Sequence, residues 1–195
     1  MFLCVGLGNP SSEYALHRHN VGFMVIDSLA DHYGFPKFST KFQGLSAKGV
    51  VDAHPVLLFK PLTFMNNSGL AVRKILDFYK LDSQSVIVFH DDLDLTFGTL
   101  RVKCGGGHAG HNGLKSLDSM LGTPEYWRVR IGIGRPPDRN LVHNYVLSPF
   151  AHSEKPVIQT LRHRITLHMP VLLEGDSVSF VKNCIESLLL TKSEM

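Results

Sequence analysis

The stretch "SVIVFHDDLD", Ser85 to Asp94, decides the fold. Val86, Ile87, Val88 and Phe89 follow one another without a polar break. A strand with one wet face alternates apolar and polar residues, so an unbroken run this short points to a strand covered on both faces, as at the centre of a sheet with helices above and below. The run ends in His90, Asp91, Asp92 and Asp94, which predicts a buried strand delivering acids to a sheet edge.

The flanking sequence agrees. Short β-rich runs alternate with helical periodicity, the pattern of an α/β domain in which a sheet is surrounded by helices. "FLCVG" (2–6) reads as the first strand, and Val21, Met24, Val25 and Leu29 then recur at helical spacing, with Asn20 as N-cap and Gly34 as stop. "GLSAKGVV" and "PVLLFK" (55–60) read as a hairpin, and Ser68 as the cap of a helix whose Val72, Ile75, Leu76 and Tyr79 share a face. "TLRVK" (99–103) is a further strand, the loop "CGGGHAGHNG" follows, and Leu114, Leu117 and Leu121 mark the next helix. In "WRVRIGIG" (127–134), Val129, Ile131 and Ile133 alternate with Arg128, Arg130 and Gly132, so the arginines are expected together on the opposite face. From Ser153 the chain reads as helical, with Pro156 near a start and Pro170 forcing a break.

At 195 residues and 44% hydrophobic, the chain is expected to form one domain, 1–195, with its own core. It has no secretory signal and no apolar run near the roughly 20 residues that cross a bilayer, so a cytoplasmic protein without membrane association is expected. Cys4, Cys104 and Cys184 are odd in number and far apart, which suggests neither a disulfide framework nor a zinc knuckle. The net charge of +3 is mild, but between Arg101 and Tyr145 seven Lys or Arg face three acids. That local excess, beside a glycine run, is where an acidic polymer would bind.

"VGLGNP" (5–10) has the look of a phosphate-cradling turn, but the spacing fails. Ser11 stands at the third glycine position of a dinucleotide fingerprint, and no Gly-Lys-Ser/Thr follows. A tight turn leaving the first strand explains Gly6 and Gly8 instead. Chemistry is carried better by polar residues at predicted strand ends and loops: Asn9, His19, Asn66, Asp91 and Asn112. His19 reads either as a capping or surface histidine or as a general base, and Asp91 either as a turn cap or as the carboxylate that orients such a base. No G-x-S-x-G elbow supplies a serine nucleophile, and Cys104 reads more simply as a strand-end residue than as a thiol nucleophile. His90, Asp91, Asp92, Asp94, His108 and His111 are ligand types without a metal-site spacing, so no metal and no cofactor are expected.

The blocks "VGLGNP", "EYALHRHNVG", "KPLTFMNNSG", "HDDLDL", "GGGHAGHNGLKS", "WRVRIGIGRP" and "NYVLSPF" together closely resemble bacterial-type peptidyl-tRNA hydrolase, over about residues 5 to 150. The resemblance implies a monomeric α/β domain with a mixed, twisted sheet. It implies cleavage of the ester that joins a peptide to the 3′-terminal ribose of tRNA, with peptidyl-tRNA as partner and the recycling of tRNA from abandoned translation as purpose. It makes His19 the catalytic histidine, Asp91 its carboxylate partner, and Asn9 the asparagine that helps distinguish peptidyl-tRNA from free aminoacyl-tRNA. Tyr14, Phe64, Asn66 and Asn112 match substrate-contacting positions. The sequence departs from the family at Ser11, where glycine is common, at His17 for threonine, at Asp92 for glutamate, and at Ala109 within the glycine loop.

Those readings combine into one expectation. His19, oriented by Asp91, removes a proton from attacking water while Asn66 or Asn112 holds the substrate and stabilises developing negative charge. Lys103, Arg130, Arg135 and Arg139 are expected to meet phosphates of the acceptor end, or else to form an ordinary solvated face. The rival readings are a catalytically silent RNA-binding module and a metal- or thiol-dependent hydrolase. Loops 105–113 and 135–147 stand as possible gates over the site.

Overall fold

The computed structural model describes residues 1–190. Seven strands form one mixed sheet in the order β2-β3-β4-β1-β5-β7-β6. They are β1 Phe2–Gly6, β2 Ser39–Lys41, β3 Gly44–Val51, β4 His54–Pro61, β5 Val86–Asp92, β6 Leu100–Cys104 and β7 Trp127–Gly132. The four central strands β4, β1, β5 and β7 run parallel, and antiparallel pairs close both edges.

Strand β5 is buried along its whole length because its two faces meet two different apolar layers. Ile87 and Phe89 pack with α1 (Val21–His32), α5 (Lys155–Leu167) and α7 (Ser177–Leu190), whereas Val86 and Val88 pack with α2 (Ser68–Tyr79) and α3 (Asn112–Leu121). The period of two sends successive side chains to opposite layers, so both must be apolar. Full burial of each such side chain stabilises the fold by roughly 1.5–3 kcal/mol, and truncating Phe89 to alanine would cost about 3–5 kcal/mol.

The expected elements form, with instructive differences. Ser68, expected as a cap, is the first residue of α2 after Asn67, and its hydroxyl donates to Met65 O at 3.0 Å instead of capping. The acids Asp91 and Asp92 are the last two residues of β5 itself and are buried, 2% and 7% exposed, rather than lying beyond the strand. The arginines of β7 do share a face, but Arg128 is wholly buried. It donates to Gly107 O (2.9 Å), Asp118 Oδ1 (3.1 Å) and Pro124 O (3.3 Å), so it anchors the glycine loop from beneath. The predicted break in the C-terminal region falls at His168, between α5 and α6 (Met169–Leu173), just before Pro170. One short helix, α4 (Val142–Val146), has too few residues for a periodic signal.

Gly6, which ends β1, and Gly22, in the first turn of α1, serve packing. A Cβ on Gly22 would lie 2.3 Å from Phe89 O, and one on Gly6 would lie 2.3 Å from Gly22 O. Helix α1 therefore crosses directly over β1 and β5 at a distance that only glycine permits. Gly22→Ala would push the helix off the sheet and displace the turn before it, which carries His19.

Candidate active site

The carboxyl ends of parallel strands are where an α/β sheet presents side chains to a ligand. Asn9 follows β1, Asn66 follows β4 and Asp91 ends β5, so three predicted residues arrive at one edge by topology alone. The fourth segment has further to travel. Strand β6 ends at Cys104 opposite Trp127, the first residue of β7, so the loop after it must run back along the sheet to reach Asp91. Gly105 and Gly106 make that turn with φ of 70° and 91°.

His19 and Asp91 meet. His19 Nδ1 lies 2.8 Å from Asp91 Oδ1, and both residues are buried. An ionised carboxylate only accepts, so Nδ1 carries the proton and Nε2 keeps its lone pair. Burial opposes the charged imidazole, but the Asp91 charge and hydrogen bond outweigh it, and the His19 pKa is raised above its ordinary value. Burial likewise works against the Asp91 charge. The neighbouring His19 and His111 overcome it, holding the carboxyl well below the usual carboxylate range.

His111 was only a loop histidine in the sequence, yet it is part of this centre. Its Nε2 donates to the same Asp91 Oδ1 at 3.0 Å, while its Nδ1 accepts from the backbone N–H groups of Gly113 (3.1 Å) and Leu114 (3.3 Å) at the start of α3. The helix N-terminus thus fixes the His111 tautomer, and His111 helps fix Asp91. His90 lies alongside. It is fully buried and donates from Nδ1 to Asp91 O at 2.7 Å, and burial foremost, then the nearby His111, lowers its pKa to about 3, so it stays neutral.

His19, Asp91 and His111 each offer an atom within 4.8 Å of the others, a spacing that a metal ion could bridge. The donor set does not fit one. Both histidines present protonated nitrogens to Asp91, and His111 cannot move its proton to Nδ1 without setting it against two backbone N–H donors. The three residues are therefore read as a hydrogen-bonded unit.

A cavity of about 350 Å³ opens on this unit, lined by His19, Asp91, His111, Asn112, Arg135 and α4 residues Val142, His143 and Val146 among others. A larger one, about 610 Å³ between α1 and α5, contains none of the predicted site residues. Asn9 lines a smaller hollow of about 200 Å³ beside the site. Its Oδ1 accepts from Met65 N at 2.9 Å, which leaves its Nδ2–H₂ as the free donor. Asn20, expected as an N-cap, occupies that position without capping. Instead it accepts from Asn9 N and donates to Asn9 O, both at 2.9 Å, and so clamps the Asn9 backbone.

The remaining predicted residues divide. Phe64 is 59% exposed and Asn66 is exposed beside the Met65 anchor, and Tyr14 packs edge-on against His17 with ring centroids 5.4 Å apart. Lys103 and Arg130 stand on neighbouring strands of the sheet edge. Partial burial, then Arg130 and Arg128, lowers the Lys103 pKa, the mark of a crowded cationic cluster. Arg130 is paired with Asp92 at 2.7 Å. Arg135 pairs with Asp94 at 2.6 Å at the rim of the His19 cavity, apart from Lys103, and Arg139 is exposed in the turn before α4.

Fold and site together define a three-layer α/β protein with a histidine–carboxylate centre of the kind that activates water for hydrolysis. Comparison with known proteins gives the family. The family model described as peptidyl-tRNA hydrolase matches residues 3–190. The peptidyl-tRNA hydrolase of Granulibacter bethesdensis is 47% identical over 181 residues, covering 93% of each chain. That of Rhodospirillum centenum is 51% identical over 176 residues, covering 90% of this chain and 77% of the other. The crystal structure of Acinetobacter baumannii peptidyl-tRNA hydrolase superposes with a TM-score of 0.89 at 37% identity over 94% of each chain. The chain belongs to the peptidyl-tRNA hydrolase family.

Proposed function

We propose that this chain hydrolyses the ester between a peptide and the 3′-terminal ribose of tRNA, with His19 as general base. The observation that carries the mechanism is the 2.8 Å bond from His19 Nδ1 to Asp91 Oδ1, which leaves Nε2 as the proton acceptor. Water attacks the ester carbonyl carbon as Nε2 takes its proton. The tetrahedral intermediate then expels the ribose oxygen, which recovers that proton from the imidazolium, and Asp91 stabilises the positive charge that exists between the two steps. No bond between enzyme and peptide forms.

Substrate choice follows from Asn9. With Oδ1 occupied by Met65 N, Nδ2–H₂ is left as a donor that calls for an acceptor. An acyl carbonyl on the substrate's α-nitrogen satisfies it, whereas a free α-ammonium offers only more donors. Asn112 lines the cavity wall, and Asn66 stands next to the Met65 anchor; either can hold the ester oxygen as it gains charge. Phe64 and Tyr14 give apolar or stacking surface for the terminal base or peptide. Lys103 and Arg130 form the phosphate-facing pair, with Arg135 and Arg139 contributing more weakly.

No helix among the described residues is long and apolar enough to cross a membrane. A monomer acting in the cytoplasm, where abandoned peptidyl-tRNA arises, completes the proposal.

The test is release of N-acetylated amino acid from tRNA, compared with free aminoacyl-tRNA. Strong preference for the acetylated substrate, lost in Asn9→Ala, supports the proposal. Equal rates on both substrates would contradict it.

A further inference from the structure

A charged side chain next to the proposed base has no place in the mechanism, yet it is buried. Arg18 is 6% exposed and holds a segment distant in sequence. Its Nη1 donates to Ser148 Oγ at 2.8 Å, Ser148 O at 3.3 Å and Pro149 O, and its Nη2 donates to Glu154 Oε2 at 2.6 Å. The guanidinium carbon lies over the Tyr145 ring, 4.3 Å from its centroid, and 5.3 Å from the centroid of the Phe150 ring. The backbone takes part as well: Arg18 N donates to Ser148 O at 3.0 Å, and His17 forms an isolated β-bridge with Pro149.

What Arg18 grips is a wall of the active-site cavity. Tyr145 belongs to α4, whose Val142, His143 and Val146 line the same cavity as His19 and Asp91. The grip continues back to the sheet. Ser148 Oγ donates to Tyr145 O at 2.7 Å, Tyr145 OH donates to Ile133 O at 2.6 Å, and Ile133 N donates to Asp92 O at 3.1 Å, beside Asp91. A closed circuit thus runs from the His19 turn through Arg18, α4 and the end of β7 to the end of β5. Burying a guanidinium costs several kcal/mol unless it is partnered; here Nη1 and Nη2 are satisfied by Ser148, Pro149 and Glu154, while the buried Nε has no hydrogen-bond partner among the described residues.

We propose that Arg18 is a positioning residue for the reaction: it staples the α4 wall to the turn that carries His19, so that imidazole, carboxylate and cavity wall keep one mutual geometry. The proposal rests on the reading of His19 as base. A displacement of about 1 Å at a reacting group can cost about a hundredfold in rate, so a loosened staple acts on kcat. Lysine cannot replace it, because an ammonium offers neither the planar fork nor the face that stacks on Tyr145.

The experiment compares Arg18→Met, Arg18→Lys and His19→Ala, measuring thermal stability, kcat and KM on N-acetylated aminoacyl-tRNA, and the low-field proton resonance of the His19–Asp91 hydrogen bond. Folded Arg18→Met is expected to lose about ten- to a hundredfold in kcat with KM within about threefold, and to broaden that resonance; Arg18→Lys recovers little of the loss. Wild-type kcat and an unchanged resonance in folded Arg18→Met, while His19→Ala is inactive, would overturn the Arg18 proposal alone. Activity surviving in His19→Ala would instead overturn the reading beneath it. Should Arg18→Met fail to fold, Glu154→Gln and Tyr145→Leu each weaken one side of the staple. A reduced kcat at unchanged KM in both supports the proposal, and wild-type kcat in both overturns it.

Discussion

Asp91 Oδ1 receives hydrogen bonds from two histidines at once, His19 at 2.8 Å and His111 at 3.0 Å. One oxygen therefore ties the turn after β1 to the start of α3. The two histidines differ in freedom: His111 has its other nitrogen occupied by backbone donors, whereas His19 presents its other nitrogen for chemistry. The site is an asymmetric pair of imidazoles around one carboxylate, with one ring nitrogen, His19 Nε2, left to accept a proton.

The first prediction concerns pH. A base must be unprotonated, and the His19 pKa is raised, so kcat/KM should climb with pH through a value above that of an ordinary histidine. Asp91→Asn removes the charge that raises it and leaves the burial that lowers it. The acid limb should then move to lower pH while the plateau rate falls. A stability consequence has the opposite sense for the two groups. The raised His19 pKa adds stability that is present below the ordinary histidine value and lost as pH rises through the raised one. The depressed Asp91 pKa adds stability that is present above the ordinary carboxylate range and lost as pH falls through the depressed value. An acid limb at or below the ordinary histidine value in the unmodified protein would contradict this account.

Removing His111 should weaken the same unit without removing the base. His111→Ala takes one donor from a buried carboxylate, a stability loss of about 1.5–3 kcal/mol for a charge-assisted bond, and by loosening the position of Asp91 should lower kcat by about ten- to a hundredfold. In a double-mutant cycle with Asp91→Asn the two losses should be strongly non-additive, since both act through one oxygen. Additive losses would place His111 in substrate contact alone.

Binding of the tRNA should depend on salt through few residues. Lys103→Ala and Arg130→Ala are each expected to weaken binding at every salt concentration and to reduce the slope of log Kd against log salt by about one. Arg135 and Arg139 should matter less, because they lie at the cavity rim and in the turn before α4, outside the cationic cluster that Lys103 forms with Arg130 and Arg128. Unchanged slopes in both variants would remove the phosphate role from the sheet edge.

Ser11 has a positive φ, a backbone that glycine adopts more readily. With φ 89° and ψ 143° it occupies a conformation that costs a residue with a side chain about 1–3 kcal/mol. Part of the gain is returned as extra freedom of the unfolded chain, so Ser11→Gly should stabilise the protein by about 1 kcal/mol, read as a rise in Tm. A fall in Tm would show that the Ser11 side chain contributes more than its strain.

Much of this was legible because the informative residues obey short-range rules. Strand β5 declares itself by four apolar residues in a row, and the acids at its end point to the edge where the site forms. What escaped the sequence depends on contacts made across the fold. Arg18 reaches residues more than a hundred positions away, and nothing beside it in sequence marks a buried cation. Asn20 has the spacing of a helix cap, but its side chain is claimed by the Asn9 backbone. Arg128 alternates like a surface residue and becomes buried only because the glycine loop folds over it. Strand β2, three exposed polar residues, carries no pattern and exists because β3 supplies a free edge.

The central claim, that His19 is the base, is tested most directly by His19→Ala with kcat and tRNA affinity measured separately on N-acetylated aminoacyl-tRNA. The account predicts a fall in kcat of about 10²–10⁴-fold with affinity nearly unchanged. A folded His19→Ala protein that turns over substrate at close to the original rate would contradict it.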